Sequence, residues 1–188
     1  MVVVAVVLLA GAAAAGLLLE QRRVTPGPVE TKGVDGTGFG MDVGRTGSWG
    51  ATVIYNTGDT EAVLERIRPI DVPAGLEIPE ILIAGPKRRV LYVGSTRVWP
   101  TDRLTDLQPV DGSVVPPVST EEGHRGVEIV VVVRGRKPGR YVISRLEVTY
   151  RVGGRRHRRV VRGVLALCAS ERLKDGIGSC SVPEELPK

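Results

Sequence analysis

Eighteen consecutive residues, Val2 to Leu19 (VVVAVVLLAGAAAAGLLL), carry neither a charge nor a strong hydrogen-bonding side chain. A helix made from them has no polar stripe, so it needs protein or lipid on every side. At about 1.5 Å per residue it is roughly 27 Å long, close to the hydrocarbon thickness of a bilayer. It also satisfies its own backbone donors and acceptors, as lipid requires. Glu20, Gln21, Arg22 and Arg23 end the run abruptly. These features predict a single N-terminal transmembrane anchor helix with its flank over residues 1–23. Two other readings compete with it: a core helix enclosed by protein, and a signal peptide cleaved after the small residues Ala13-Ala14-Ala15. Against cleavage, Leu17-Leu18-Leu19 extends the apolar run past that site.

The rest of the chain changes character. It holds most of the 24 Gly and 13 Pro, too many for a helical bundle, while 42% apolar residues are too many for a disordered chain. Pro26-Gly27-Pro28 and the glycines from Gly33 to Gly50 predict a spacer over residues 24–45. The Gly36-Thr37-Gly38-Phe39-Gly40 cluster has neither the preceding strand nor the following helix that a phosphate loop needs.

From Trp49 onward, β-branched runs alternate with turn signals. Trp49, Ala51, Val53 and Tyr55 are expected on one face of a first strand, which stops at Asn56-Thr57-Gly58-Asp59. Further strands are expected at Ala62–Ile70, at Leu76–Ala84 with a bend or edge at Pro79, and over 86–93. Residues 94–125 form a long irregular connection with a short strand at Ser113–Val115. GVEIVVVVR, from Gly126 to Arg134, predicts a buried strand. From Tyr141 to Val152, residues Val142, Leu146, Val148, Tyr150 and Val152 are placed on one face. Arg145, Glu147, Thr149 and Arg151 are placed on the other. Gly153-Gly154 signals a hairpin, and the return strand runs from His157 to Cys168. A four-residue loop there sets Glu147 opposite Arg162, and a two-residue loop keeps the same facing.

Seven or so strands without a convincing amphipathic helix predict an all-β, immunoglobulin-like antiparallel β-sandwich over residues 46–168, followed by a tail over 169–188. Val53-Ile54-Tyr55-Asn56-Thr57-Gly58-Asp59 and Pro138-Gly139-Arg140-Tyr141 leading into Val148-Thr149-Tyr150 resemble turns of bacterial immunoglobulin-like or fibronectin-like surface domains. That resemblance implies architecture, and fold does not fix function.

Charge is concentrated in one stretch. Residues 134–162 carry eleven basic side chains against the single acid Glu147, a net of +10 in a chain whose total is +5. Arg151, Arg155, Arg156, Arg158, Arg159 and Arg162 are the candidate anion-binding residues, because the planar guanidinium fork suits phosphate. Charges that keep a hairpin from pairing with other sheets are the competing explanation. Nucleic acid is disfavoured because stacking aromatics are scarce among these arginines.

Cys168 and Cys180 are candidates for a disulfide, which belongs to an oxidising compartment. No spacing predicts a catalytic group, a cofactor or a metal site. His124, His157 and the loop acids Asp102, Asp106 and Asp111 match no ligand pattern. The expected function is therefore non-catalytic. The chain is read as a cell-envelope binding or accessory domain, tethered to the bilayer through residues 2–19, with the sandwich outside the cytoplasm. Its expected partner is an anionic envelope component or another protein. Arg22 and Arg23 motivate the alternative of a cytoplasmic-facing domain on anionic lipid or nucleic acid. A third alternative is an enzyme whose site the sequence does not mark.

Overall fold

The computed structural model describes residues 27–33, 36–85, 95–100, 106–118, 126–171 and 180. The apolar run 2–19, the strand expected over 86–93, Asp102 and His124 lie outside these. The described residues contain strands and no helix. In chain order the strands are β1 Val29–Gly33, β2 Thr37–Asp42, β3 Thr46–Asn56, β4 Ala62–Pro69, β5 Leu76–Ala84 and β6 Ser95–Thr96. They continue with β7 Leu107–Pro109, β8 Val114–Val115, β9 Val127–Gly135, β10 Gly139–Val152 and β11 Arg155–Ser170.

Two sheets face each other. The first has the order β1-β3-β9-β5-β7, with β6 also on β3; the second has the order β2-β11-β10-β4-β8. Apolar side chains of both inner faces, among them Trp49, Ile54, Ile129, Val131, Leu146, Val148, Leu165 and Leu167, form one core. This is the β-sandwich that the strand pattern predicts. β9 is β-branched almost throughout because both of its faces are covered. Ile129, Val131 and Val133 enter the core, while Val130 packs with Leu82, Ala84, Trp99 and Leu107 on the outside.

Several local expectations need correction. Residues 24–45 are not simply a spacer. β1 pairs antiparallel with β3, β2 pairs parallel with β11, and Phe39 and Met41 are buried. The sandwich therefore begins near Val29 and is not wholly antiparallel. β3 carries a register shift between Gly50 and Thr52. A bulge of one residue moves every later side chain to the other face. Trp49 and Ala51 thus join the core with Ile54, while Val53 and Tyr55 turn outward. A second shift, between Ile143 and Arg145, places Tyr141 and Ile143 in the core in place of Val142. The bend expected at Pro79 coincides with a shift between Glu77 and Glu80.

Asn56 explains the first turn. Its buried Nδ2 donates to the carbonyls of Thr60 (2.7 Å) and Val115 (3.1 Å), and its Oδ1 accepts the Gly58 N–H (3.1 Å). In the second resembling motif, the Tyr141 hydroxyl donates to the Lys137 carbonyl at 2.7 Å and so fixes the start of β10.

At the far end of β11, Cys168 and Cys180 are joined, with Cα atoms 5.5 Å apart. The bond holds the chain at Cys180 across the outer face of the second sheet. A Cβ on Gly38 would lie 1.6 Å from the Cys180 carbonyl oxygen, so only glycine lets this strap lie flat on β2.

Candidate anion-binding face

The β10–β11 hairpin closes through Gly153 and Gly154, both with positive φ (54° and 79°), so Val152 sits opposite Arg155. Two residues at φ > 0 make the tight turn whose twist suits flanking strands. The two-residue loop puts Val160, not Arg162, opposite Glu147; Arg162 pairs with Arg145 instead.

Strand alternation then splits the predicted arginines into two rows. Arg156, Arg158 and Arg162 lie opposite Arg151, Thr149 and Arg145 on the outer face of the sheet. Arg155 and Arg159 lie opposite Val152 and Val148, on the inward-facing row at the mouth of the sandwich. Four of the six predicted residues therefore share one surface.

The sequence reading missed the contribution of β4. Its outer residues Val63, Arg66 and Arg68 stand opposite Arg151, Thr149 and Glu147. A register shift between Thr149 and Tyr150 leaves Glu65 as the extra residue on β4. The resulting face is an ion-pair lattice. Glu147, whose side chain is only 7% exposed, accepts from Arg68 Nε at 2.7 Å and also pairs with Arg158. Glu65, 16% exposed, pairs with Arg151 and accepts from Arg156 Nε at 2.7 Å. Arg145 is paired with Asp71 at 2.6 Å. Arg66 and Arg162 have no acidic partner within salt-bridge distance among the described residues.

The N-terminal end of the sandwich meets the same hairpin. His157 stacks on Tyr150 with ring centroids 5.4 Å apart. The Tyr150 hydroxyl, fully buried, accepts the Val29 N–H at 3.3 Å. A Cβ on Gly27 would lie 2.7 Å from the His157 ring and from the Tyr150 hydroxyl. Burial pushes the Tyr150 phenol above its ordinary pKa. The backbone N–H groups of Val29 and Gly27 and the charge of Arg159 oppose that shift. The turn after β3 carries the exposed acids Asp59 and Glu61.

Among the described residues no group of three or more His, Cys, Asp or Glu side chains is placed to hold a metal ion. Asp106 and Asp111 stand on exposed turns, and Trp99 caps the outer cluster of the first sheet.

No protein-family model and no curated protein matches the chain. Among solved structures it is similar to the ASH / PapD-like domain of human CEP192 (PapD-like domain 7), at 13% identity and a TM-score of 0.40, over 79% of this chain and 89% of that one. It is also similar to the Vibrio cholerae VesB protease, at 10% identity and a TM-score of 0.35, over 75% of this chain and 32% of that one.

Proposed function

We propose that this chain is a non-catalytic binding domain of a bacterial cell envelope, tethered by residues 2–19, which presents its arginine-rich hairpin to an anionic surface. One observation carries the reading. The chain enters the sandwich at Gly27, against His157 and Tyr150, at the hairpin itself. Seven residues separate Leu19 from Gly27. Fully extended, they span at most about 25 Å. A helix anchored in a bilayer would therefore keep the hairpin within reach of the lipid headgroups. Attraction to an anionic leaflet adds about 1 kcal/mol per basic residue near the surface.

The bond between Cys168 and Cys180 supports an extracytoplasmic position, because such bonds persist in oxidising compartments. Alkaline phosphatase fused to the C-terminus tests the topology in intact cells, and carbonate extraction tests the anchor. An active fusion in a carbonate-resistant membrane fraction is the expected result. An inactive fusion would favour the cytoplasmic-facing arrangement that Arg22 and Arg23 motivate, and intact chain in the soluble fraction would overturn the tether.

A further inference from the structure

Beside the hairpin, the outer face of the second sheet is not flat. A shallow groove of about 420 Å³ opens between β4 and the turn before β8, lined by Val63, Glu65, Arg66, Asp111, Arg151 and Arg156. The bulge on β4 builds it. In a regular strand Glu65 and Arg66, being neighbours, would point to opposite faces. The extra residue brings both to the groove.

Three guanidinium groups converge here under unequal constraint. Arg151 and Arg156 are each held to Glu65 through Nε. This use of Nε leaves their terminal nitrogens as donors, and Arg156 is further oriented by its hydrogen bond to Glu65 Oε2. Arg66 is exposed and has no acidic partner among the described residues. The groove thus holds three cations against Glu65 and Asp111. Glu65 is already engaged by Arg151 and Arg156, whereas Asp111 stands exposed in the groove lining, where a carboxylate accepts hydroxyl hydrogens and repels a second anion.

We propose that this groove binds a phosphate ester of a polyol, with its phosphate on Arg66, Arg151 and Arg156 and its hydroxyls on Asp111. The inference deepens the anion-binding reading of the hairpin and does not depend on the tether. Arginine forks match phosphate oxygens in pairs, and the hydrogen bond from Arg156 to Glu65 orients one fork before the ligand arrives. A soluble glycerol phosphate and the headgroup of phosphatidylglycerol share this chemistry.

The test uses the full-length chain in a neutral detergent with glycerol 3-phosphate as probe, read by titration calorimetry. Saturable 1:1 binding is expected, tighter than that of inorganic phosphate. Arg66→Gln should weaken it about tenfold or more, as expected for loss of a charge-assisted contact. Asp111→Asn should abolish the preference over inorganic phosphate. Arg155→Gln and Arg159→Gln, on the other row of the hairpin, should leave the probe's affinity unchanged. Circular dichroism confirms that each variant is folded.

Competition between phosphatidylglycerol added to the detergent micelles and glycerol 3-phosphate in the same titration assigns the site to the lipid headgroup. Absence of competition, with glycerol 3-phosphate still bound, assigns the site to a soluble ester. Two results would overturn the groove: no saturable binding, or binding indifferent to Arg66→Gln. If anionic vesicles still bound through Arg155 and Arg159, the hairpin reading would stand without the groove.

Discussion

Replacing Gly38 by alanine should destabilise the protein only while the disulfide holds the strap down. The new methyl carbon would sit 1.6 Å from the Cys180 carbonyl oxygen. A carbon–oxygen contact needs about 3.3 Å, so the strap or β2 must move by roughly 1.7 Å. β2 resists that movement, because it is paired with β11 along its whole length and carries the buried Phe39 and Met41. The strap resists because its Cα is held 5.5 Å from that of Cys168. Overpacking of this kind costs about 1–3 kcal/mol, and with backbone on both sides the upper end applies. In a Cys168→Ser/Cys180→Ser background the strap is free to lift, and the same methyl should cost below about 1 kcal/mol. The expected coupling between the two changes is therefore about 2 kcal/mol, well above the error of a mutant cycle. Urea unfolding followed by fluorescence of the buried Trp49 measures all four corners. Equal costs of Gly38→Ala with and without the disulfide would refute the strap geometry.

Three further perturbations probe the hairpin end and the first turn. Tyr150→Phe should cost about 1–2 kcal/mol at neutral pH, because the buried Val29 N–H loses its acceptor. The raised pKa of Tyr150 adds a pH signature. Protonated phenol is the form that folds, so its contribution is complete below about pH 10 and lost as pH rises through the folded-state value. Unfolding curves should therefore show the gap between wild type and Tyr150→Phe narrowing above pH 10. Glu147→Gln should cost only about 1 kcal/mol, since its partners Arg68 and Arg158 are about half exposed (49% and 52%). The same change should tighten binding to phosphatidylglycerol added to detergent micelles and steepen its salt dependence, measured by titration calorimetry. Asn56→Ala removes hydrogen bonds to Thr60, Val115 and Gly58 from a fully buried position, and thermal unfolding should report a loss of about 2–3 kcal/mol.

What was legible in the sequence follows from what leaves a compositional mark. β5, β9 and the β10–β11 hairpin were readable because apolar runs, alternation and Gly153-Gly154 are local signals. The bulges at Ala51 and Ser144 left no such mark, since one extra residue changes facing without changing composition. β2 was hidden because Gly38 and Gly40 read as linker. Gly38 is small because the strap lies over it, and residues 128 positions downstream of Thr37 pair with that strand. The arginines of β11 stood out as a run, whereas Glu65, Arg66 and Arg68 did not. Their role depends on β4 lying beside β10, a long-range pairing no local signal encodes.

The ion-pair lattice also changes what the sequence charge means. Of the outer-face arginines, Arg68, Arg145, Arg151, Arg156 and Arg158 each have a carboxylate partner. A ligand therefore meets guanidinium groups already oriented, with a field weaker than the +10 count of residues 134–162 suggests. Selectivity should then rest on the geometry around Arg66 more than on bulk attraction.

β11 makes a last consequence testable, because it links two unlike ends of the molecule. His157 lies beside Gly27 and the arginine face, and Cys168 lies under the strap. Eleven residue steps along the strand separate them by about 35 Å. Removing the disulfide should thus lower stability by about 3 kcal/mol, the entropic value for a loop of this size, without disturbing the groove. The Cys168→Ser/Cys180→Ser variant should bind glycerol 3-phosphate with the affinity of the wild type at temperatures where both are folded. A matching loss of affinity would mean that the two ends are mechanically coupled through β11, and the groove could not then be treated as a site built by β4 and the hairpin alone.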